Sequence, residues 1–317
     1  PVERVPVWLM RQAGRYMPEY RALRKHHGIL EMIKTPDLAA EVTLQPIKAF
    51  DLDAAIIFAD ILTLLEPLGL DLSFEEGRGP VIGNPVRSAS DVERLAEPDE
   101  TCALPYTVAA IGESRNALAG QVPLIGFSGA PFTLACYAVE GGGSAHFLRA
   151  RRFMHGDPEG WEQLMNRLAR AVSIYLRAQV EAGADALQLF DSWAGVLSPR
   201  EFQAHVLPHV QGLIGSLADL DVPIIYFSTG TTGYLPLLKE TGASVLSLDW
   251  RTSLDAARLQ LGHGVALQGN LDPSVLLSTA EAIGKATGAV LQEAGHEPGF
   301  IFILGHGIHK ETPVENV

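Results

Sequence analysis

Short apolar runs that each end just before a polar residue most limit how this 317-residue chain can fold. Eight of these runs recur along the sequence. They are rich in β-branched residues and apolar on both faces, which is typical of buried parallel strands. They occupy residues 5–10, 54–59, 122–127, 186–190, 222–227, 244–248, 264–268 and 300–304.

The segments between these runs have the periodicity of helices. The clearest is residues 158–183, where Leu164, Leu168, Val172 and Leu176 repeat on one face. Four helices are predicted to begin at a proline that follows a capping residue, because proline at the first helical position loses only an unpartnered N–H. The pairs are Thr35-Pro36, Asp157-Pro158, Ser198-Pro199 and Asp272-Pro273, and Ser198 with Glu201 also fits a capping box.

Strand and helix alternating eight times predict an α/β fold, a (β/α)8 TIM barrel, with residues 1–317 forming a single domain. The alternative is a doubly wound open sheet, which normally carries a glycine-rich phosphate turn after its first strand. The segment RQAGRYMP is not such a turn. No helical pattern follows the last run, so we expect the closing helix to lie outside this sequence.

Two connections are longer than the others. Residues 61–90 contain SFEEGRGPVIGNPV, which indicates a small hairpin. Residues 129–157 contain three consecutive glycines, residues 141–143, which suit either a mobile lid or a close-packed turn.

The chain is acidic, with a net charge of −13 and a pI near 5.2, and it has no tract rich in lysine and arginine. We therefore expect no nucleic-acid binding. No apolar run reaches about 18 residues without a charge, and the start lacks the features of a signal peptide. We expect no membrane association and a cytoplasmic location. Cys102 and Cys136 are far apart in apolar surroundings, which argues against a disulfide or a Cys-x-x-Cys metal site.

Positive charge is nevertheless concentrated near the N-terminus. Residues 7–24 contain four arginines and one acid: Arg11, Arg15, Arg21, Arg24 and Glu19. Arg11 ends the first predicted strand, and Arg15 follows Gly14, which frees the backbone to turn. A planar guanidinium binds carboxylate or phosphate through paired hydrogen bonds, so Arg11 and Arg15 are predicted to hold an anion. The alternative is a pair of solvated surface arginines.

Other candidate site residues follow later strands, whose carboxyl ends converge at the face of a TIM barrel that carries the active site. Asp60 stands between two apolar runs, where a carboxylate is costly unless it is paired or hydrogen-bonded. It is either a buried structural acid or an acceptor that stabilises positive charge on a substrate. Tyr137, Ser192 and His306 are each ambiguous alone between structural hydrogen bonding and ligand binding.

Several chemistries lack their motifs. The sequence has no P-loop, no His-Glu-x-x-His zinc motif and no Gly-x-Ser-x-Gly elbow. None of the six lysines ends a predicted strand, which argues against a Schiff-base enzyme, although Lys310 comes close. His205 and His209 are predicted to form a solvated helix face, and no metal site is expected.

Two longer stretches, PVWLMRQAGRYMPEYRALR and GFSGAPFTLACYAVEGGGS, closely resemble the signatures of the uroporphyrinogen decarboxylase family. DAAIIFADIL, ADALQLFDSWAG, QGNLDP and LGHGI resemble its other recurrent segments, in family order across essentially the whole chain. The resemblance implies a (β/α)8 barrel that forms a homodimer and works without a cofactor. It implies removal of CO2 from the four acetate arms of uroporphyrinogen, giving coproporphyrinogen in heme and chlorophyll synthesis. It also implies that this sequence begins and ends inside the usual family length.

The resemblance also assigns roles to individual residues. The family's substrate-binding residues match Arg11, Gln12, Ala13, Gly14, Arg15, Asp60, Tyr137, Phe190, Ser192 and His306. We expect Asp60 and Arg11 to be catalytic. Asp60 would accept the pyrrole N–H groups and stabilise the ring cation formed on protonation, and Arg11 would assist delivery of the proton.

The sequence departs from the family pattern around the late histidine, where it reads FILGHGIHKETP. Relatives often have Asn before the Leu and an apolar-Pro pair after the Ile, which leaves the roles of Ile303, His309 and Lys310 open. Two alternative functions remain at this point. One is a corrinoid-linked methyltransferase of the same superfamily, although its usual zinc ligands include a His-x-Cys pair that is absent here. The other is a non-catalytic protein that binds tetrapyrroles.

Overall fold

A computed structural model, which describes residues 4–296 and 298–317, contains a curled parallel sheet of seven strands. The spatial order is β1, β4, β5, β6, β7, β8, β9, and each strand pairs in parallel with the next. Their bounds are β1 (Ala55–Ile56), β4 (Leu124–Gly129), β5 (Ala186–Asp191), β6 (Ile224–Ser228), β7 (Val245–Ser247), β8 (Ala266–Leu271) and β9 (Phe300–Leu304). Each strand begins within one of the predicted apolar runs, and the predicted α/β barrel is confirmed.

The first predicted strand, residues 5–10, lies between β9 and β1 and completes the barrel, but it is not a regular strand. Val7 makes one parallel bridge to Phe302, whose N–H donates to the Pro6 carbonyl at 2.9 Å. On the other side, the Asp53 N–H donates to the Val7 carbonyl, and the Val7 N–H donates to the Asp53 carboxylate, both at 2.8 Å. The prediction of a full strand is wrong because Pro6 has no N–H and a side chain occupies the N–H of Val7.

The second predicted strand, residues 54–59, is also shorter than expected. Only Ala55–Ile56 pair as β1, and Ile57 adds one further bond to the Ile125 carbonyl at 3.0 Å. The next N–H, of Phe58, donates at 2.9 Å to the hydroxyl of Thr43 on the helix that precedes the strand. The helix side chain therefore ends the strand two residues before Asp60.

Helices cover the outside of the sheet. The predicted helix at residues 158–183 is α8 (Pro158–Glu181), and its four repeating apolar residues are buried. Ser198 and Glu201 form the predicted capping box, and Asp157 accepts the Gly160 N–H at 2.9 Å. The other helices are α1 (Pro18–Arg24), α2 (Ile29–Lys34), α3 (Pro36–Ala49), α4 (Ala89–Arg94), α5 (Pro105–Leu118), α6 (Pro131–Glu140), α7 (Leu148–Gly156), α9 (Pro199–His205), α10 (Leu207–Gly215), α11 (Leu235–Glu240), α12 (Leu254–Leu261) and α13 (Ala280–Ala294).

The predicted hairpin is present as β2 (Leu72–Glu75) and β3 (Gly79–Ile82), an antiparallel pair outside the barrel. The glycine run packs against it. The Ile82 N–H donates to the Gly141 carbonyl at 3.0 Å, and Val81 bridges Gly142. A Cβ on Gly142, whose φ is +158°, would lie 2.9 Å from the Pro80 carbonyl oxygen. Of the two alternatives for the glycines, the structure therefore favours the close-packed turn.

Apolar side chains fill both the barrel and the space between sheet and helices. The interior cluster includes Trp8, Ile57, Ile125, Phe190, Phe227 and Ile303. Ile303, whose role the sequence left open, is fully buried there and belongs to the barrel interior. In the described part of the chain, β9 is followed by one short 3-10 helix, Val314–Asn316. None of the described helices is both long enough and apolar enough to cross a membrane.

The hydrogen bonds of Asp53 to Val7 join residues 5–10 to the segment before β1 and so help to close the barrel. This role of Asp53 can be tested. Asp53→Ala removes the acceptor for the Val7 N–H and the ion pair with Arg4. We expect it to lower the free energy of unfolding by about 1–2 kcal/mol, because a part-buried N–H loses its partner. Urea unfolding measures this change. Asp51→Ala is the matched control, since Asp51 also pairs with Arg4 but is 90% exposed, and it should change stability little. Equal losses in both variants would contradict the closure by Asp53.

Candidate functional site

The loop after the first barrel segment has an unusual backbone at Arg11. Arg11 is exposed and has a φ of +62°, in the left-handed region that side chains other than glycine rarely adopt. Gln12 holds the loop to the barrel. Its buried amide accepts the Leu9 N–H at 3.0 Å and donates to the Ala54 carbonyl at 3.1 Å. The backbone of Gln12 is used as well, because its N–H donates to the Leu9 carbonyl at 2.9 Å and its carbonyl accepts the Tyr16 hydroxyl at 2.7 Å. Gln12 therefore positions the loop from inside the protein and presents no free polar group to a ligand.

The Arg11 side chain lies against the chain segment that follows β9. A Cβ on Gly307 would lie 2.5 Å from Cδ and 2.8 Å from Cγ of Arg11, so a glycine is needed for this close approach. The Ile308 N–H also donates to the Met10 carbonyl at 3.0 Å. The first and last segments of the barrel therefore fix Arg11 together.

Asp60 follows β1 and faces this arginine. The residue keeps some solvent contact, but its carboxylate is surrounded by protein atoms. Oδ1 accepts the Leu62 N–H at 2.8 Å. Burial raises the pKa of Asp60 above its ordinary value, while the Leu62 hydrogen bond and the charge of Arg11 act in the opposite direction. Asp60 is thus a desolvated acid within electrostatic reach of Arg11.

Tyr137, on α6, belongs to an aromatic cluster beside this acid. Its ring centroid is 6.1 Å from that of Trp193 and 6.2 Å from that of Phe147. Burial raises the pKa of Tyr137, and the negative charge of Asp60 raises it further, whereas that of Arg11 lowers it. Tyr137 is therefore near enough to Asp60 and Arg11 for their charges to affect its pKa.

His306 follows β9 on the other side of Arg11. Its Nδ1 accepts the Gly307 N–H at 2.8 Å, so in the neutral ring the proton is on Nε2. Burial lowers the pKa of His306 to about 4, with further lowering by the charge of Arg11. At neutral pH the ring is an uncharged hydrogen-bond donor. A carboxylate would be recognised by this donor together with the arginine charge.

A cavity of about 440 Å³ opens beside His306. Its lining residues are Ser192, Trp193, Thr229, Trp250, Arg251, Asp272, Pro273, Ser274, His306 and His309. Phe190 lies below this level, in the barrel interior, where it contacts Phe227 with ring centroids 5.6 Å apart. Phe227 in turn lies 6.1 Å from the His306 ring, so apolar side chains form the floor under the histidine.

Arg251 and His309 line this cavity although the sequence analysis gave neither of them a role there. The Arg251 guanidinium lies 4.1 Å from the centroid of the Trp250 ring and 2.5 Å from Oδ2 of Asp249, which is buried. A weaker signal for Arg251 was present, because it stands three residues after the apolar run 244–248, whereas Arg11 directly follows residues 5–10. No sequence pattern indicated that His309 turns toward the cavity.

Arg15 lies in a different depression from Ser192 and His306. This depression, the basic groove, has a volume of about 490 Å³ and is lined by Arg15, Arg21, Arg24, Lys25 and Lys310. Ala13 and Gly14 are half-buried in the loop between the two arginines. The structure thus brings Arg11, Asp60, Tyr137 and His306 into one electrostatic group and puts Arg15 beside it.

The cysteine and histidine candidates for metal binding lie elsewhere. Cys102 and Cys136 are buried in the outer hydrophobic core, and burial raises the pKa of both thiols. His205 and His209 belong to separate helices, α9 and α10, and both are half-buried, so the prediction of one solvated helix face is wrong. Residues 4–296 and 298–317 contain no group of three or more His, Cys, Asp or Glu arranged to hold a metal ion.

Comparison with known proteins agrees with the signatures in the sequence. The family model described as uroporphyrinogen decarboxylase (URO-D) matches residues 1–317. The chain belongs to the uroporphyrinogen decarboxylase family. The uroporphyrinogen decarboxylase of Roseiflexus sp. strain RS-1 is 55% identical over 322 residues, covering 100% of this chain and 92% of that relative. That of Chloroflexus aurantiacus is 55% identical over 323 residues, covering 100% of this chain and 90% of the relative.

A solved structure of a protein described as a methyltransferase has the same architecture. A methyltransferase from Methanosarcina mazei superposes with a TM-score of 0.84 at 23% identity, covering 100% of this chain and 92% of that one. At this identity the likeness shows the barrel fold alone. The family assignment predicted from the sequence is confirmed by the family model and the curated relatives.

The backbone at Arg11 predicts a difference between two substitutions. Arg11→Gly and Arg11→Ala both remove the guanidinium, but only glycine adopts a φ of +62° without strain. We expect the glycine variant to be more stable than the alanine variant by about 1 kcal/mol in urea unfolding. Equal stabilities would show that the loop relaxes when the side chain is lost.

The lowered pKa of His306 predicts a pH dependence of stability. Between about pH 6.5 and about pH 4, the unfolded histidine binds a proton that the folded one does not, so wild-type stability falls as pH falls. His306→Gln removes the acid-induced loss of stability caused by this histidine, which is at most about 3 kcal/mol. Unfolding free energies at several pH values should show a shallower acid decline for the variant. Parallel curves would contradict a neutral, buried His306.

Proposed function

We propose that the chain is a carboxy-lyase that decarboxylates the four acetate arms of uroporphyrinogen to give coproporphyrinogen, in tetrapyrrole biosynthesis. The observation that carries this proposal is the carboxylate of the half-buried Asp60 just after β1, whose pKa burial raises and which lies within electrostatic range of Arg11. An anion in a low-dielectric wall stabilises a cation that forms in front of it more strongly than water does. Such a site suits a reaction whose transition state places positive charge on a ring.

The reaction needs an electron sink, because loss of CO2 from a pyrrole acetate would otherwise leave an unstable carbanion. Protonation of the pyrrole carbon beside the arm makes the ring cationic. When the bond to the carboxylate breaks, its electron pair neutralises the ring and CO2 leaves. The exocyclic carbon then takes a proton and the ring carbon loses one, which restores the pyrrole with a methyl group. One proton has replaced one CO2.

Each side chain of the site has its own role in the decarboxylation. Asp60 accepts the pyrrole N–H groups and stabilises the ring cation. Arg11 holds the carboxylate of the arm and assists proton delivery, although a guanidinium is a weak acid, so a water molecule or a substrate carboxyl makes the transfer. Neutral His306 donates Nε2–H to a carboxylate, and Tyr137 and Ser192 donate hydroxyl hydrogens around the macrocycle.

The remaining residues shape the pocket. Phe190 forms part of its apolar floor, Gln12 holds the loop in place from inside the barrel, and Ala13 and Gly14 contribute backbone groups. Arg15 binds further carboxylates at the edge. We propose that the whole chain acts as one barrel domain, as a homodimer in the cytoplasm, and without a cofactor. The methyltransferase alternative is less favoured, because its zinc-bound thiol chemistry needs an accessible cysteine and both thiols are buried in the core.

Replacement of the carboxylate by an amide tests the role of Asp60. Asp60→Asn keeps an oxygen that can accept the Leu62 N–H, so the fold should survive. Turnover of uroporphyrinogen, followed anaerobically by chromatography of the products, should fall by about two or more orders of magnitude in kcat. Because the pKa of Asp60 is raised and the ionised form is needed, wild-type activity should decline with falling pH above the usual range of an aspartate.

Asp272→Asn is the matched control for this experiment. It makes the same charge change at the cavity that His306 lines, and its oxygen can still accept the Ser274 N–H. We expect its kcat to stay within a few-fold of wild type. Unchanged turnover in Asp60→Asn would remove the electrostatic role. An equal loss of kcat in both variants would mean that turnover depends on the total charge around the cavity and not on Asp60 in particular.

A further inference from the structure

The basic groove contains more positive charge than binding through Arg15 alone explains. All five side chains that line it are cationic, in a chain whose net charge is −13. Four come from residues 15–25, and the fifth, Lys310, comes from the opposite end of the chain. Like charges gathered in one concavity disfavour the folded state unless an anion offsets them.

The groove cations have few carboxylate partners within the protein. Arg21 donates to the carbonyls of Arg15 at 3.0 Å and Tyr16 at 2.6 Å, and Arg24 donates to the carbonyl of His27. Among residues 4–296 and 298–317, Lys310 alone of the five has a carboxylate within 4 Å, that of Glu311 at 3.5 Å. Carbonyl groups orient the two arginines without neutralising them, so the groove stays positive.

The basic groove adjoins the proposed active site. Arg15 is in the same loop as Arg11, and Lys310 follows His306 and Gly307 in the segment against which Arg11 packs. The Ile308 N–H holds that segment to Met10 at 3.0 Å. A ligand too large for the cavity beside His306 can therefore reach the groove over these two segments.

Lys310 is exposed in the segment after β9 and supplies a flexible cation to the groove. Lys25 is exposed at the end of α1 and supplies another. Each of these two lysines carries a compact charge on a long, flexible side chain. They can therefore bind carboxylates that occupy different positions in the groove.

We propose that the basic groove is a second binding site for a polycarboxylate, and that it retains the partly decarboxylated tetrapyrrole between successive reactions. This inference rests on the proposed function. The substrate carries eight carboxylates on four pyrroles and must present four arms in turn. While one arm is held at Arg11 and Asp60, carboxylates that extend beyond the cavity bind the groove. They keep the molecule on the enzyme while it turns to present the next arm.

A double variant tests the proposal with little risk to the fold. Lys25→Gln with Lys310→Gln removes two exposed charges and leaves the arginines in place. We expect about a three- to tenfold rise in the fraction of products with seven, six or five carboxylates at early times, and a higher KM. The effect should shrink when salt is raised from about 20 mM to about 300 mM, because screening weakens exposed charges.

Lys48→Gln with Lys285→Gln is the matched control, since both lysines are exposed on helices α3 and α13 and neither lines the groove. It should keep the wild-type product distribution. Binding of uroporphyrin, an oxidised polycarboxylate that does not react, is measured separately by quenching of tryptophan fluorescence. The groove variant should bind it more weakly than the control variant does.

The outcomes separate the two proposals. If the wild type does not consume uroporphyrinogen, the proposed function fails, and the uroporphyrin measurement still tests the groove. If the wild type is active but both double variants release the same intermediates and bind uroporphyrin equally, the groove has no part in binding and the inference is overturned.

Discussion

The contact between Arg11 and the two barrel segments beside it is the constraint on which the site depends. The guanidinium stem lies against Gly307, and its charge acts on Asp60, Tyr137 and His306. Burial raises the pKa of Asp60, and the cation that we propose to hold a substrate carboxylate also partly offsets the cost of burying this acid. His306 stays neutral because of burial and the same charge. Burial is the main cause of the pKa shifts of these three groups, and the charge of Arg11 contributes to each of them.

Local charge outweighs the charge of the whole molecule in this arrangement. A polyanionic substrate conflicts at first sight with a chain of net charge −13. Screening removes most charge effects beyond about 8 Å at physiological salt, whereas a pair at about 4 Å in a medium of effective dielectric near 20 gains roughly 4 kcal/mol before desolvation. In the proposed binding mode, arginines at the rim of the cavity and in the basic groove would be within such range of a substrate carboxylate, and the distant acids would not.

Much of the fold could be predicted because strand and helix signals are local. The apolar runs located all seven strands of the barrel sheet, and the proline and capping-box signals located helix starts such as Pro199. The errors arose where a distant side chain competes with the backbone. Asp53 takes the N–H of Val7, and Thr43 takes that of Phe58, so two predicted strands are shortened. Residue types alone do not show which side chain will reach a strand's hydrogen-bonding edge.

The sequence by itself determined the parallel barrel, the family and the residues that stand at the ends of its strands, since these follow from periodicity and from motifs that are contiguous in the chain. Only the tertiary structure decided that the Gln12 amide bonds to other parts of the protein. It also decided that Arg15 lines the basic groove, whereas His306 lines the cavity. It also decided that Arg251 and His309 reach the cavity. The reason is physical: closing a barrel brings together residues from opposite ends of the chain, and their burial and mutual charge exist only after it closes.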